Sequence, residues 1–331
     1  MIFYKIRVWI VKSTLDQMEG YMNRNLYVKI AYWYHTLGMT QDEIAKRLSY
    51  TRQKVNQIIN SLPDMGIVTL NIHGYERNNV ELENQIEEKF RLREAIVAPD
   101  YGEPSTAIYK VANVAAQYLD EIIQQGHIIG VSWGRTLAEV ADQMSYRRRS
   151  ACRVIQLMGA QNIERPVEKC DEIARGIANK LDCPSYMLYA PVVVEHAETK
   201  RWLFQEKSIK ASYELMRECD IAVLGVGELS EQSTMCARGH ITKDDIRVLR
   251  AQGFVADLAM NPIRRDGSYD DCPLTERLLN ADMECLKKID NTVLVATGEE
   301  KIEAIRAALR SGCIDTLIID ETTAKNVMEG V

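Results

Sequence analysis

Apolar residues near the beginning of the chain recur at the spacing of an α-helix in three consecutive segments. The first segment runs from Asn23 to Leu37, and Gly38 follows where a left-handed glycine would end a helix. Its predicted inward face comprises Leu26, Ile30, Tyr34 and Leu37. The next two segments carry the apolar sets Ile44, Ala45, Leu48 and Val55, Ile58, Ile59, Leu62. Three short helices, each with one buried face, are therefore predicted.

Polar residues mark the beginnings of the second and third helices. Thr40 precedes Glu43 by three residues, which is the spacing of a reciprocal N-terminal capping box. Thr51 stands before the third segment, where its hydroxyl can cap the helix or meet a DNA phosphate. Two capped helices joined by a short turn predict a helix-turn-helix unit. The alternating run Ile67 to Ile72 predicts a strand beside it, as in a wing.

The outer face of the third helix carries side chains that match DNA. Arg pairs with guanine in the major groove, and Asn or Gln pairs with adenine. An ordinary helical hairpin also has a polar outer face, but two caps together with basic residues favour DNA binding. The candidate DNA-contacting residues are Thr40, Gln41, Thr51, Arg52, Gln53, Lys54, Asn56 and Gln57.

An amphipathic helix is predicted from Asn79 to Arg93, with an apolar stripe that links the first unit to the rest or packs against a second copy. Beyond it, short branched apolar runs alternate with helical patterns. This alternation predicts an α/β fold with a doubly wound, mostly parallel sheet and helices on both faces. The predicted strands begin at Ala95, His127, Arg153, Ser185, Ile221, Thr292 and Thr316.

Two strand ends carry candidate ligand-binding residues, because ligands on such sheets bind beyond the carboxyl ends of the strands. At the first, glycines, hydroxyls, an aromatic ring and a guanidinium precede a helix whose N-terminus favours an anion. The residues there are Ser132, Trp133, Gly134, Arg135 and Thr136. At the second, Lys301 lies in the first turn of a helix. A plain strand-to-helix turn and a solvated lysine are the alternatives.

Composition narrows the class of protein. The 331 residues carry a net charge of −6, whereas residues 22–60 contain six basic and two acidic side chains, a net charge of +4. A basic N-terminal segment on an otherwise acidic chain can contact DNA phosphates, while the rest of the chain does not bind nucleic acid nonspecifically. No apolar run is long enough to span a bilayer, so no membrane partner is expected. The eight cysteines and five histidines show no metal-ligand spacing, which predicts a cytoplasmic protein without metal or cofactor.

The chain resembles the SorC family of bacterial sugar-responsive transcriptional regulators from about Asn25 to Ala324. The resemblance is carried by "MTQDEIAKRLSYTRQKVNQIINSLPDMGIV", "ELENQIEEKFRLREAIV", "GVSWGRTL", "DIAVLGVG" and "ATGEEKIEAIRAALRSGCIDTLIIDETTA". It implies an effector domain similar to ribose-5-phosphate isomerase and glucosamine-6-phosphate deaminase. It also implies a sugar or sugar-phosphate effector, double-stranded operator DNA as partner, and a homodimer or homotetramer.

The resemblance further implies effector contacts from the loop of residues 132–136, from Asp257 and from Lys301. The sequence departs from the family where Ala256 replaces a glycine and where Arg264 and Arg265 follow, and this charge suggests a more anionic effector. Asn56 and Gln57 replace a common Ser-Arg pair, which suggests a different operator.

The sequence thus predicts a carbohydrate-operon regulator with four segments: an extension (1–21), a helix-turn-helix domain (22–75), a linker helix (76–94) and an effector domain (95–331). A sugar-phosphate isomerase or deaminase is the alternative. Such an enzyme requires a placed general base, and the available carboxylates are those of Asp171, Glu172 and Glu228.

Overall fold

A computed structural model of the protein describes residues 24–68, 79–99, 107–160, 169–237, 239, 241–270 and 272–329. The chain divides into two compact units, Met1–Gly74 and Tyr75–Val331. The predicted extension and most of the predicted wing strand lie outside the described residues. The four-segment division of the chain therefore stays a prediction.

Three helices form the described part of the first unit: α1 (24–31), α2 (Gln41–Leu48) and α3 (Arg52–Ser61). The capping box is confirmed, because Thr40 and Glu43 each accept a hydrogen bond from the other's backbone N–H. The Thr51 hydroxyl caps α3 by accepting from the Lys54 N–H at 3.2 Å. The three predicted apolar faces meet in one core, which contains Ile30, Ala31, Ile44, Ala45, Val55, Ile58, Ile59 and Leu62.

The end of the first helix differs from the prediction. A π-helix from Tyr32 to Thr36 continues α1, and Gly38 then adopts the expected positive φ of 67°. The wider turn of a π-helix shifts the side chains that follow away from the α-helical register. Leu37, predicted to face inward, is therefore 54% exposed, whereas Trp33 packs against the core instead.

Ten strands are described in the second unit: β1 (Glu94–Ala98), β2 (Ile128–Val131), β3 (Arg153–Gln156), β4 (Ser185–Tyr186), β5 (Ile221–Leu224), β6 (Val226–Glu228), β7 (Phe254–Leu258), β8 (Asn261–Arg264), β9 (Asn291–Ala296) and β10 (Thr316–Asp320). Seven form a sheet of order β1-β10-β9-β5-β2-β3-β4, in which every pairing is parallel. The predicted fold class is confirmed. The sheet is buried almost throughout, which explains why its strands read as continuous apolar runs.

Helices connect these strands: α4 (Val80–Phe90), α5 (Ala107–Ile122), α6 (Arg135–Gln143), α7 (Cys170–Leu181), α8 (Ala197–Leu203), α9 (Lys207–Arg217), α10 (Thr234–Ala237), α11 (Lys243–Ala251), α12 (Met283–Leu286), α13 (Ile302–Arg310) and α14 (Glu321–Met328). The strand order reverses between β2 and β5, since β3 and β4 lie on one side of this point and β9 and β10 on the other. Such a reversal opens a crevice at the carboxyl ends of the strands, where ligands bind.

The amphipathic helix α4 packs its apolar stripe on the core of its own unit, where Ile86 is fully buried. The Glu83 and Glu87 carboxylates accept hydrogen bonds of 2.8 Å from the backbone N–H groups of Val97 and Ala95. Because β1 is an edge strand, these bonds satisfy donors that the sheet leaves open. The apolar stripe, which the sequence suggested could pack against a second copy of the chain, is thus covered within the unit.

A second, antiparallel sheet of β6, β7 and β8 was absent from the sequence-based prediction. Its β7–β8 hairpin turns through Ala259 and Met260, whose φ angles of 47° and 71° are unusual for residues other than glycine. Sequence rules expect Asn-Gly or a similar pair at such a turn, so the hairpin carried no local signal. Buried amides hold it in place: Asn280 Nδ2 donates to the Ala259 carbonyl at 2.8 Å, and Asn261 Nδ2 donates to the Ala281 carbonyl at 2.8 Å.

Candidate functional site

The candidate DNA-contacting side chains of α3 lie on its solvent side. Arg52, Gln53, Lys54 and Gln57 are exposed, and Asn56 is half-buried. The Arg52 guanidinium lies 3.9 Å from the Asp42 carboxylate, with both side chains more than half exposed. An exposed pair at this distance contributes little, so Arg52 is available to a partner of higher charge density.

The remaining three candidates in this unit form contacts that shape it. The Thr40 hydroxyl donates to the Glu43 carboxylate at 2.9 Å and, with the backbone N–H of Thr40, holds the pKa of Glu43 below its usual value. Thr51 accepts from the backbone of α3, and its hydroxyl hydrogen remains available to a phosphate. Gln41 Nε2 donates to Asn56 Oδ1 at 3.0 Å.

The second candidate site is a cavity of about 260 Å³ in the second unit. It lies beyond the carboxyl ends of β2, β5 and β9, which are neighbours in the sheet, and therefore beside the point where the strand order reverses. Its volume lies near the lower end of small-molecule pockets, roughly 300–1,000 Å³. The lining residues are Trp133, Gly134, Arg135, Thr136, Leu137, Gly225, Val226, Gly227, Glu228, Gln232, Ser233, Met235, Asp257, Glu300 and Lys301.

One side of the cavity suits an anion. Gly134 has a φ of 123° at the N-cap of α6, and no side chain caps the helix, so the first N–H groups of α6 are open toward the cavity. Within the described part of the chain, the Arg135 guanidinium and the Lys301 ammonium have no ion-pair partner. Burial lowers the pKa of Lys301, and the positive charge of Arg135 acts in the same direction, whereas Glu300 opposes the shift. The carboxylates of Asp257 and Glu228 oppose it as well, so Lys301 has negative charge nearby although it forms no ion pair among the described residues.

The cavity also carries carboxylates, of which Asp257 is the most buried, with 2% of the residue exposed. Burial raises the pKa of Asp257 to about 6, although a hydrogen bond from the Met260 N–H to Oδ2 at 3.1 Å opposes the shift. Asp257 Oδ1 has no partner among the described residues. Gly227 on β6 permits this packing, because a Cβ atom there would lie 2.0 Å from Oδ1.

The structure brings most of the predicted effector residues together. Trp133, Gly134, Arg135, Thr136, Asp257 and Lys301 all line the cavity. Ser132 does not: it is 1% exposed, and its hydroxyl accepts from the Gly225 N–H at 3.2 Å, which ties the ends of β2 and β5 together. Sequence reasoning did not assign nine of the lining residues to the effector site, among them Gly227, Glu228 and Glu300. Glu228 directly follows Gly227, and Glu300 lies two residues after Gly298, so a carboxylate close behind a glycine at the sheet edge was the signal that could have identified both.

The two arginines that suggested a more anionic effector lie elsewhere. Arg264 stacks over the Phe254 ring at 4.1 Å and pairs with Asp270 at 2.6 Å. Arg265 pairs with Glu303. Neither lines the cavity, so their charge does not bear on the ligand there.

A larger and more open recess of about 700 Å³ lies beside Tyr189 and Val192. Its charged residues are Glu195, Arg277 and Asp245, of which the last two pair with each other at 2.8 Å. No described helix combines the length and apolar character needed to cross a bilayer. Among the described residues, no three His, Cys, Asp or Glu side chains come together as metal ligands.

Comparisons with known proteins agree with this architecture. Residues 76–329 match the family described as "Putative sugar-binding domain". An erythritol catabolism regulatory protein of Brucella abortus is 27% identical over 303 residues, which cover 91% of this chain and 95% of the relative. A solved DeoR family transcriptional regulator from Listeria monocytogenes is 31% identical, with a TM-score of 0.69, and the match covers 75% of this chain and 98% of that one.

The full-length sorbitol operon regulator SorC from Klebsiella pneumoniae shares the fold along nearly the whole length. Its structure aligns with a TM-score of 0.72 and 24% identity, over 93% of this chain and 99% of that one. The chain belongs to this sugar-binding family, and the predicted resemblance to SorC-type transcriptional regulators is confirmed.

Proposed function

We propose that this member of the SorC family regulates transcription of a carbohydrate-utilisation operon, with operator DNA bound through α3 and a sugar phosphate bound in the cavity. The proposal depends on one observation: the same chain has an exposed, capped helix suited to DNA recognition and a pocket lined by both cationic and carboxylate side chains. Such a protein acts in the cytoplasm, where its DNA is.

The cavity chemistry supports a phosphorylated sugar. The open N-terminus of α6, Arg135 and Lys301 form a cationic end suited to phosphate. Asp257 and Glu228 form an acceptor end suited to hydroxyl groups, and Trp133 offers an apolar ring face to a sugar. A phosphate would place its negative charge beside both cations, whereas an uncharged sugar would not. The cavity therefore suits a compact ligand that carries both an anionic group and hydroxyl groups.

It is the relatives that favour an effector over a substrate, because the cavity by itself also offers the carboxylates of Glu228, Asp257 and Glu300. Of the three carboxylates that the sequence suggested as a general base, only Glu228 lines the cavity. Asp171 lies near Arg175 at 4.0 Å on α7, and Glu172 is exposed on the same helix. The named relatives are likewise transcriptional regulators.

Control of DNA affinity follows from differential binding. An effector that binds one state of the second unit better than another shifts the equilibrium between them by that difference. A palindromic operator requires two recognition helices about 34 Å apart, which we expect a homodimer or homotetramer to supply. A small rearrangement of the subunits would then break the fit to successive major grooves.

The test is a thermal-shift screen with sugars and their phosphates, followed by operator titrations with and without the active compound. A ligand that prefers the folded state raises its melting temperature. Lys301→Ala should abolish the response to the phosphorylated ligand while DNA binding survives, and Lys288→Ala, an exposed lysine outside the cavity, should respond like the parent chain. An unchanged response of Lys301→Ala would remove this lysine from the site. Steady isomerisation of a sugar phosphate would favour the enzyme instead.

A further inference from the structure

A hydrogen bond between two carboxamides joins α2 to α3 on the side that carries the candidate DNA contacts. Gln41 is the first residue of α2, and its Nε2 donates to Oδ1 of Asn56 at 3.0 Å. Both side chains are half-buried, whereas Gln53 and Gln57 on the same helix are exposed and have no hydrogen-bond partner in the described part of the chain. Asn56 is therefore the one Asn or Gln of α3 with an anchored carboxamide in that part of the chain.

The anchor matters because the two ends of a carboxamide have nearly the same shape and opposite hydrogen-bonding character. A free Asn turns about its last bond and presents either the oxygen or the nitrogen to a base. With Oδ1 engaged by Gln41, Asn56 keeps both N–H groups of Nδ2 for another partner. The orientation of Asn56 is thus coupled to that of Gln41, and in this arrangement Asn56 faces a base as a donor.

We infer that Gln41 is a positioning residue for operator recognition, which holds Asn56 so that it reads one base pair as a hydrogen-bond donor. This inference rests on the proposed DNA-binding function of α3. Guanine presents two acceptors, N7 and O6, in the major groove, whereas adenine presents one acceptor and one donor. The anchored amide therefore favours guanine, although an Asn considered by itself suggests adenine.

Changing the chemistry of residue 41 should change the base that Asn56 selects. Gln41→Met keeps the length of the side chain and removes its donor, so Asn56 regains both orientations and the preference broadens. Gln41→Glu replaces the donor by a carboxylate that only accepts. Asn56 must then donate Nδ2 to Glu and present Oδ1 outward, which shifts the preference toward adenine or cytosine, the bases that carry amino donors. Glu suits the first turn of α2, so this variant should fold.

The experiment selects binding sites from a random duplex library with the full chain and with Gln41→Met, Gln41→Glu, Asn56→Ala and Gln57→Met. Asn56→Ala identifies the base pair that Asn56 reads. At that pair the parent chain should prefer guanine by about tenfold, Gln41→Met should lose the preference, and Gln41→Glu should change the preferred base. Gln57→Met, the same change at an unanchored position, should leave that pair as the parent has it.

The affinity for random DNA and its salt dependence report contacts with phosphates. Both quantities should therefore be similar in the parent chain and the residue 41 variants, apart from the effect of the one negative charge that Gln41→Glu adds. Adding Gln41→Met to Asn56→Ala should cost nothing further at this base pair. Independent, additive effects, or an unchanged motif in both residue 41 variants, would overturn the inference while the DNA-binding function stands. If the parent chain enriched no motif, the proposed function would fail first, and this inference with it.

Discussion

The two candidate ligand-binding surfaces of this chain are constructed in opposite ways. The candidate DNA-contacting face comes from residues 40–57, a continuous stretch whose side chains are mostly exposed. The cavity collects residues from three distant strand ends and from β7, and it places a buried carboxyl group near a half-buried ammonium group. The first surface depends on local helix geometry, and the second depends on the packing of two sheets.

The difference has a physical consequence for mutations. An exposed side chain on a capped helix can be replaced with little effect on folding, so its loss should report on binding alone. A cavity residue such as Asp257 is held by packing against Gly227 and by a hydrogen bond from Met260, so its loss should affect both folding and ligand. Four substitutions test this contrast, beginning with the largest expected effect.

Gly227→Ala should be the most damaging, because its Cβ would lie 2.0 Å from Oδ1 of Asp257, a buried side chain that the Met260 N–H holds in place. We expect the free energy of unfolding to fall by about 3 kcal/mol, as in other overpacked cores, and the ligand-induced thermal shift to disappear. Chemical denaturation measures the first effect. Gly176→Ala on α7, where a Cβ would make ordinary contact with Ala141, should be at least as stable as the parent chain, because alanine favours a helix more than glycine does. Equal stability of the two variants would show that β6 and β7 are not packed as described.

Asp257→Asn should change how stability depends on pH. The pKa of Asp257 in the folded protein, about 6, lies above its usual value of 3.8, so its ionisation opposes folding. The folded state binds the proton more tightly, and the parent chain therefore loses about 3 kcal/mol of stability from this group as the pH rises from about 4 to 6. The asparagine variant lacks this loss, so its advantage over the parent should grow between pH 4 and 7. Parallel stability profiles would contradict the buried environment of Asp257.

Arg52→Ala should weaken operator binding by about 1–3 kcal/mol, if Arg52 pairs with a guanine, without changing the affinity for the effector. Gel-shift titration measures the first quantity, and a thermal shift measures the second. The melting temperature should stay near that of the parent, because the exposed pair with Asp42 contributes little. Arg148→Ala, an exposed arginine of the second unit, serves as the control. Identical titrations of Arg52→Ala and the parent chain would count against α3 as the recognition helix.

Thr51→Ala should have the smallest effect, a loss of about 1 kcal/mol from the stability of α3, because the hydroxyl caps the helix through the Lys54 N–H. Thr51→Ser keeps the oxygen and should restore most of the loss. Circular dichroism during denaturation compares the three proteins. A serine variant as unstable as the alanine variant would show that the methyl group, and not the cap, matters here.

Local sequence signals determined the helix-turn-helix unit and the order of the parallel strands along the chain. Thr40, Glu43 and Thr51 specify caps through neighbours within three residues, and the branched apolar runs of the main sheet follow from burial on both faces. Side-chain chemistry at the ends of β2 and β9 likewise indicated Arg135 and Lys301 from the amino-acid sequence alone. All these features depend on contacts within a few residues or on the pattern of a single strand.

Only the tertiary structure decided which of those residues meet. In the folded chain, the Ser132 hydroxyl connects the ends of two strands, and Gly227 and Glu228 line the cavity. Arg264 and Arg265 form ion pairs outside the cavity. The buried hairpin through Ala259 and Met260 shows the reason most clearly, since its positive φ angles are held by Asn261 and by Asn280, about twenty residues away in sequence. Backbone conformations and charge pairings that depend on distant partners produce no periodic pattern in the sequence. The interactions that stabilise them form only when the chain has folded.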